Sequence, residues 1–305
     1  MGRMKRVLSI SLGSSKRDHT TRAEFLGVPF ELSRQGTDGD FKRAVRMFSE
    51  LDGKVDAFGI GGTLLFVEVA DRRYYFRSCK AIRRAVKQSK LADGNGVKHL
   101  LEARAVKMLE ERLGSLRGKK AFAISAGDRY GQFEALVGAG CDCIAGDLIF
   151  TMGLNLPIRT LAGVRRGAAL LFPWTFQLPY MWFYPVGEEQ ERPPVHHPRF
   201  TRYYEEAEII AGDYLWLRKY MPEDMSGKIV LTNTTTARDV EEFQKRGVKL
   251  LVSSTPRFEG RSFGTNVMEA MLLCLMDKPQ AEATPKDFEV LIERSGLSPV
   301  IEVLN

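Results

Sequence analysis

Six residues, Ala126-Gly127-Asp128-Arg129-Tyr130-Gly131, separate a short apolar run (121–125) from a helix-periodic segment in which Phe133, Leu136 and Val137 recur. A second apolar run (141–145) then delivers Gly146-Asp147. Strand, glycine turn, helix, strand and terminal acid is the order of a dinucleotide-binding βαβ unit. In such a unit the glycines let the backbone approach a pyrophosphate, and the helix N-terminus offers it unpaired N–H groups and a positive dipole end. Asp147 stands 20 residues after Gly127, the spacing at which a carboxylate accepts hydrogen bonds from an adenosine ribose. The pattern here is Gly-x3-Gly rather than Gly-x-Gly-x-x-Gly, and Asp128 sets a negative charge beside the expected phosphate that Arg129 can offset. The expectation is a cofactor cradle of Gly127, Asp128, Arg129 and Gly131 with Asp147 on the ribose. That favours NAD over NADP, because a 2′-phosphate would meet a carboxylate. The residues leave open an ordinary βα turn of a doubly wound sheet.

Four other groups of residues carry side chains suited to chemistry. Asp93 and Lys98 flank a glycine turn, where an amine can shuttle a hydroxyl proton while the carboxylate orients it. Equally, Asp93 can cap the helix that carries Lys98. Ser14, Ser15 and Lys16 lie in a loop dense in hydroxyls and cations (13–21), which suits a polyhydroxylated or carboxylated ligand or serves as a solvated helix cap. His19, in the same loop, reads as a surface or capping residue. Farther on, apolar runs end at Gly212-Asp213, at Thr232-Asn233-Thr234-Thr235-Thr236 and at Ser253-Ser254-Thr255. Ligands of open α/β sheets bind at the carboxyl ends of strands, so Asn233, Thr234 and Thr235 join the expected cofactor site. Asn266 and Glu269 stand near the start of a closing helix (261–276), and Asn266 is expected to face the substrate.

The chain is long enough for two domains, each with its own core: 305 residues, 44% hydrophobic and 27% charged. The expected fold is α/β with two domains, the second a Rossmann-like doubly wound parallel sheet with an apolar, Pro-rich insertion. Residues 1–115 form the substrate domain, 116–276 the nucleotide-binding domain with an insertion at 155–205, and 277–305 a small helical tail. The stripe Phe41, Ala44, Val45, Phe48 and Leu51 is core packing on one helix face. A net charge of +7 suits anionic ligands, but the cations are dispersed in mixed-charge stretches, so nucleic acid is not the expected partner. The four cysteines form no metal-binding spacing, the adjacent His196 and His197 point in different directions, and no metal is expected. Residues 168–186 hold no charge and are long enough to span a bilayer, yet Pro173, Pro179 and Pro185 argue against a regular spanning helix. A buried or homodimer-forming insertion is expected there, with membrane docking the lesser alternative. With no secretory leader visible, the expected compartment is the cytoplasm.

Four strings carry a resemblance to a known family: Ser11-Leu12-Gly13-Ser14-Ser15-Lys16-Arg17-Asp18, Gly36-Thr37-Asp38-Gly39-Asp40, Leu231-Thr232-Asn233-Thr234-Thr235-Thr236 and, beginning at Gly260-Arg261, the run through Glu269. Over residues 7–276 the chain resembles a bacterial family labelled quinate 5-dehydrogenase, distantly similar to quinate/shikimate dehydrogenases. The resemblance implies an N-terminal substrate domain, a C-terminal NAD(P) domain and oxidation of a hydroxylated carboxylic acid such as quinate. Ser14-Ser15-Lys16 is loosely similar to the Ser-Lys-Ser loop by which those enzymes hold the carboxylate. Their Asn-Val-Thr-x-Pro-His-Lys motif and Gly-Ala-Gly-Gly turn have no counterpart here. The leading expectation is therefore an NAD-dependent dehydrogenase with Lys98 and Asp93 as its proton-transfer pair. The alternative is a non-redox nucleotide- or metabolite-binding protein using the same interdomain cleft.

Overall fold

Alternation along the strands decides the architecture. In β1 (Lys5–Ser11), Val7 points into one core with Phe30, Leu32 and Ala57, whereas Leu8 and Ile10 point into another with Phe48 and Phe58. In β8 (Lys120–Ala123), Ala121 and Ala123 face one core and Phe122 faces its opposite. Strands apolar on both faces need helices on both faces, which is the condition for parallel sheets. A computed structural model describes residues 3–178, 194, 198–258, 261–262 and 264–305 of the chain.

The first sheet continues with β2 (His19–Phe25), β3 (Val28–Gly36), α1 (Phe41–Leu51) and β4 (Ala57–Gly61). A separate hairpin, β5 (Phe66–Val69) and β6 (Arg72–Tyr75), precedes α2 (Lys80–Ala85), β7 (Lys90–Ala92) and the long α3 (Asn95–Leu113). The strand order is β2-β3-β1-β4-β7, parallel except for β2 at the edge. After β8 come α4 (Tyr130–Gly138), β9 (Asp142–Ala145), α5 (Asp147–Met152), α6 (Leu161–Thr175) and α7 (Pro198–Glu206). The chain then forms β10 (Ile209–Ala211), α8 (Tyr214–Tyr220), β11 (Ile229–Thr232), α9 (Ala237–Lys245) and β12 (Leu250–Ser253). A short ribbon, β13 (Arg257–Phe258) with β14 (Arg261–Ser262), leads to α10 (Thr265–Leu275), α11 (Pro285–Ser295) and β15 (Val300–Val303). The second sheet runs β15-β12-β11-β10-β8-β9, parallel except for β15.

The expectation of an α/β chain in two units, the second built on a parallel sheet, is met, and the first unit's sheet is mostly parallel as well. The last fifth of the chain departs from it. Val267, Met268, Met271 and Leu272 of α10 pack in the first unit's core, as do Phe288 and Ile292 of α11. Residues 300–303, expected as part of a helical tail, instead pair with β12 as an edge strand of the second sheet. The chain thus passes between the units after α3, before α10 and after α11. Helix α3 is common to both: Val97 and Leu101 lie in the first unit's core, Ala105, Val106 and Leu109 in the second's.

Residues 13–21, expected to be loop, hold a 3-10 turn (Ser15–Arg17) and the start of β2, where His19 pairs with Arg34. The expected insertion contains a regular helix, α6, with Pro173 in its last turn. No helix among the described residues is long and apolar enough to cross a membrane. Residues 179–186 of the apolar stretch, and His196 and His197, lie outside the described residues.

Candidate functional site

Both sheets reverse their strand order at one point. In chain order the parallel strands of the second sheet read 2-1-3-4-5, and β3-β1-β4-β7 of the first follows the same rule. The reversals fall between β1 and β4 and between β8 and β10, the crevices where open α/β sheets take ligands. The two crevices open onto one polar cleft of about 200 Å³. The first unit lines it with Ser9, Ser11, Gly61, Gly62 and Thr63, and the second with Asp128, Arg129, Asp213, Tyr214, Asn233 and Thr234. Asp93 just before α3, Lys98 in its first turn, Asn266 of α10, and Arg17, His19 and Arg34 also line it.

The charged groups of this cleft neutralise one another. Lys98 Nζ donates to the Asp128 carbonyl at 2.5 Å and to its carboxylate at 3.2 Å. Arg129 donates to Glu102 at 2.6 Å and to Asp213 at 3.0 Å. Burial opposes the guanidinium's charge, but the carboxylates of Glu102, Asp213 and Asp128 outweigh it and raise its pKa further. Asp213 also accepts from Asn233 Nδ2 at 2.7 Å, and Asn233 Oδ1 accepts the Tyr214 N–H at 3.0 Å. Arg34 donates to Asp18 at 2.7 Å and to Ser11 Oγ at 3.0 Å. Arg17 lies 3.6 Å from Asp239 of α9, an ion pair between the two units. Asn266 Nδ2 donates to Ser9 Oγ at 2.8 Å.

The sequence-nominated residues separate into three groups. Lys98, Asp93, Asp128, Arg129, Asn233, Thr234 and Asn266 all line the cleft. The proton-transfer pair does not form, however: Lys98 is held by Asp128, whereas Asp93 accepts from the Leu65 N–H at 2.9 Å and from Asn95 Nδ2 at 2.7 Å. Burial pushes the Asp93 carboxyl up despite those bonds. Burial and the neighbouring Asp93 push Glu269 up to about 8, against the Gly94 N–H that it accepts at 2.7 Å.

Ser14, Ser15 and Lys16 do not line the cleft. Ser14 caps the 3-10 turn, the Ser15 N–H donates to Asp38 at 2.7 Å, and Lys16 is exposed. The same loop reaches the cleft through Arg17 instead. Thr235 is buried without lining it.

The third group corrects the cofactor cradle. The Ala126 and Gly127 N–H groups, expected to face a pyrophosphate, donate to the Asp147 carboxylate at 3.0 and 2.7 Å. Asp147 is accordingly held half-buried against its own turn, where desolvation pushes it up to about 6, and does not reach out to a ribose. A Cβ at Gly127 would stand 2.8 Å from Phe172, and one at Gly131 only 2.4 Å from His99 Nδ1. These glycines admit neighbouring side chains, not a phosphate. The open βα-turn reading is the one the geometry supports.

Sequence reasoning missed Ser9, Arg34 and Thr63. Ser9 and Arg34 sit inside strands, where pattern alone marks them as strand residues.

A family described as domain of unknown function DUF8754 matches residues 96–304, and one described as domain of unknown function DUF8753 matches residues 6–93. The chain belongs to the DUF8754 family. No curated protein matches. Similar solved structures include GanP, a glucose-galactose binding protein from Geobacillus stearothermophilus (8% identity, 99% of this chain and 98% of that chain, TM-score 0.39). Another is a 5-methylthioribose transporter solute binding protein from Thermotoga lettingae (9% identity, 98% and 85%, TM-score 0.37). A third is a carbohydrate transporter solute binding protein from Agrobacterium Radiobacter in complex with D-arabinose (9% identity, 95% and 99%, TM-score 0.36). Scores at this level establish neither a common fold nor a common ligand. The expected membership in a quinate 5-dehydrogenase family is corrected: the families that match are the two domains of unknown function. The expected NAD-dependent oxidoreductase is corrected on the geometry of the site: the N–H groups at 126–127 that were to hold the cofactor are taken by Asp147, and Lys98 and Asp93 do not pair.

Proposed function

We propose that the chain is a non-redox binding protein that takes a compact, uncharged polyhydroxylated molecule in the cleft between its two sheets. The observation that carries this reading is the convergence of both strand-order reversals on one small polar cleft. The second sheet keeps a Rossmann-like, doubly wound order, used here to place a ligand at the reversal rather than to cradle a dinucleotide. A volume near 200 Å³ lies below the roughly 300–1,000 Å³ of drug-sized ligand sites and suits a small metabolite. Hydroxyls and amides from Ser9, Ser11, Thr63, Asn233, Thr234 and Asn266 give and accept hydrogen bonds in the alternation that a polyol presents. Because Lys98, Arg129, Arg17 and Arg34 each already face a carboxylate, the cleft attracts a neutral ligand more than a phosphate or carboxylate. A homodimer through the face carrying Leu170 and Trp174 belongs to the same reading, and sedimentation of the purified chain tests it.

The test is isothermal titration with neutral pentoses and hexoses, their phosphates, quinate and NADH. The expected result is saturable binding of a neutral sugar or polyol, weakened at least tenfold by Thr234→Phe with unchanged thermal stability. Tighter binding of a phosphate than of its parent sugar, or a Thr234→Phe variant that binds like wild type, would overturn the reading.

A further inference from the structure

On the other side of the turn at 125–129 lies a second cavity, of about 410 Å³. Its walls come mainly from α5 and α6, with Val67 of the β5–β6 hairpin and Trp216 of α8. Ile158, Val164, Ala168, Leu171, Phe172 and Phe176 make most of its surface apolar. The α6 wall is held in place: Phe76, Phe176 and Phe172 stack at centroid separations of 3.9 and 4.6 Å, and the Arg77 N–H donates to the Phe176 carbonyl at 3.0 Å. Among the described residues, Asp128 alone lines both this cavity and the polar cleft.

Two observations say what this space suits. First, Ser125 lines its inner end, is only 8% exposed, and has a hydroxyl with no hydrogen-bond partner. Buried hydroxyls are ordinarily paired, so this one is a ready recognition point for a polar atom brought by a ligand. Second, the rim is apolar and open: Met152 and Leu178 are 51% and 39% exposed, and Leu170 and Trp174 on the neighbouring face are 69% and 75% exposed. Exposed apolar side chains at the edge of an apolar cavity suit a mouth for an apolar ligand. Asp128 and Asp147 stand at the same inner end and disfavour an anionic head group.

We propose that this cavity is a second binding site, separate from the polar cleft, for a small, mostly apolar molecule with one uncharged hydrogen-bonding head, such as a medium-chain alcohol. The apolar chain lies along α6 and the head meets Ser125. Site and cleft share the Asp128 turn but not their chemistry.

The experiment follows fluorescence of N-phenyl-1-naphthylamine on the whole chain, with displacement by 1-octanol and by octanoate at pH 8. Saturable dye binding is expected, displaced by 1-octanol at concentrations at least tenfold lower than by octanoate. Gly167→Phe fills the cavity, since the nearest atom to a Cβ there is Ile158 Cδ1 at 3.8 Å, and replacing a helical glycine does not weaken the helix. It should weaken dye binding at least tenfold while keeping the thermal midpoint. Ser125→Ala should weaken 1-octanol three- to tenfold and the dye less. Thr234→Phe, which narrows the other cleft, should leave the dye affinity unchanged. No saturable binding, equal displacement by octanoate, or a Gly167→Phe variant that binds like wild type would overturn the proposal.

Discussion

The polar cleft and the apolar cavity lie back to back on the Asp128 turn and are built on opposite principles. The cleft is lined by charges and amides already bonded to one another, so a ligand meets a fixed pattern of donors and acceptors. The cavity offers apolar area and a single unpaired hydroxyl. Preorganised polar groups give selectivity because a wrong ligand leaves buried groups unpaired. Apolar area gives affinity with little discrimination. The glycine turn between them is a partition wall. Its Ala126 and Gly127 N–H groups are taken by Asp147.

Four perturbations break or sharpen this contrast. The largest effect belongs to the wall of the cleft. Arg129→Met leaves Glu102, fully buried, and Asp213 without their guanidinium. Breaking a buried ion pair from one side costs about 3–5 kcal/mol, so chemical denaturation should show a loss of that order.

Next is Glu269. Its folded-state pKa of about 8 exceeds the unfolded value of about 4.3, so the folded state holds the proton more tightly. Its contribution to stability is present below pH ~4.3 and is lost as pH rises to about 8. Glu269→Gln keeps an acceptor for the Gly94 N–H and should abolish that decline, gaining a few kcal/mol at pH 9 relative to wild type. Parallel stability–pH curves for the two proteins would contradict it.

Gly131→Ala tests whether that glycine serves packing. Its new methyl meets His99, and overpacking costs about 1–3 kcal/mol. A second change, His99→Ala, should restore most of the loss in a double-mutant cycle. The smallest effect is expected of Lys16→Ala: an exposed side chain outside the cleft should change stability by under about 0.5 kcal/mol and sugar affinity not at all.

Much of the fold was legible. The runs at 7–12 and 121–125 are strands because both faces are apolar, and the stripe Phe41 to Leu51 does form one helix, capped by Asp40. What pattern could not supply was partnership. The apolar surround of α10 says that it is buried, not that it returns to the first unit's sheet. A four-residue run at 300–303 beside β12 carries no signal of its distant partner. The lining of the candidate cleft was half legible for the same reason. Strand-end residues such as Asn233 and Thr234 could be found from the rule that loops after strands hold ligands. Ser9 and Arg34 face the cleft from within strands, and only the juxtaposition of the sheets reveals them. The misreading of Asp147 is the most instructive: a spacing that brings an acid to a ribose also brings it to the turn's own N–H groups, and sequence distance does not separate the two.

The most direct measurement is a crystal structure of the chain soaked with the tightest-binding neutral sugar from the titration panel. The account predicts density between Ser9, Ser11 and Asn266 on one side and Asn233 and Thr234 on the other, with the turn at 125–129 unmoved. A sugar bound anywhere else, or density for a nucleotide over Gly127 after soaking with NADH, would contradict it.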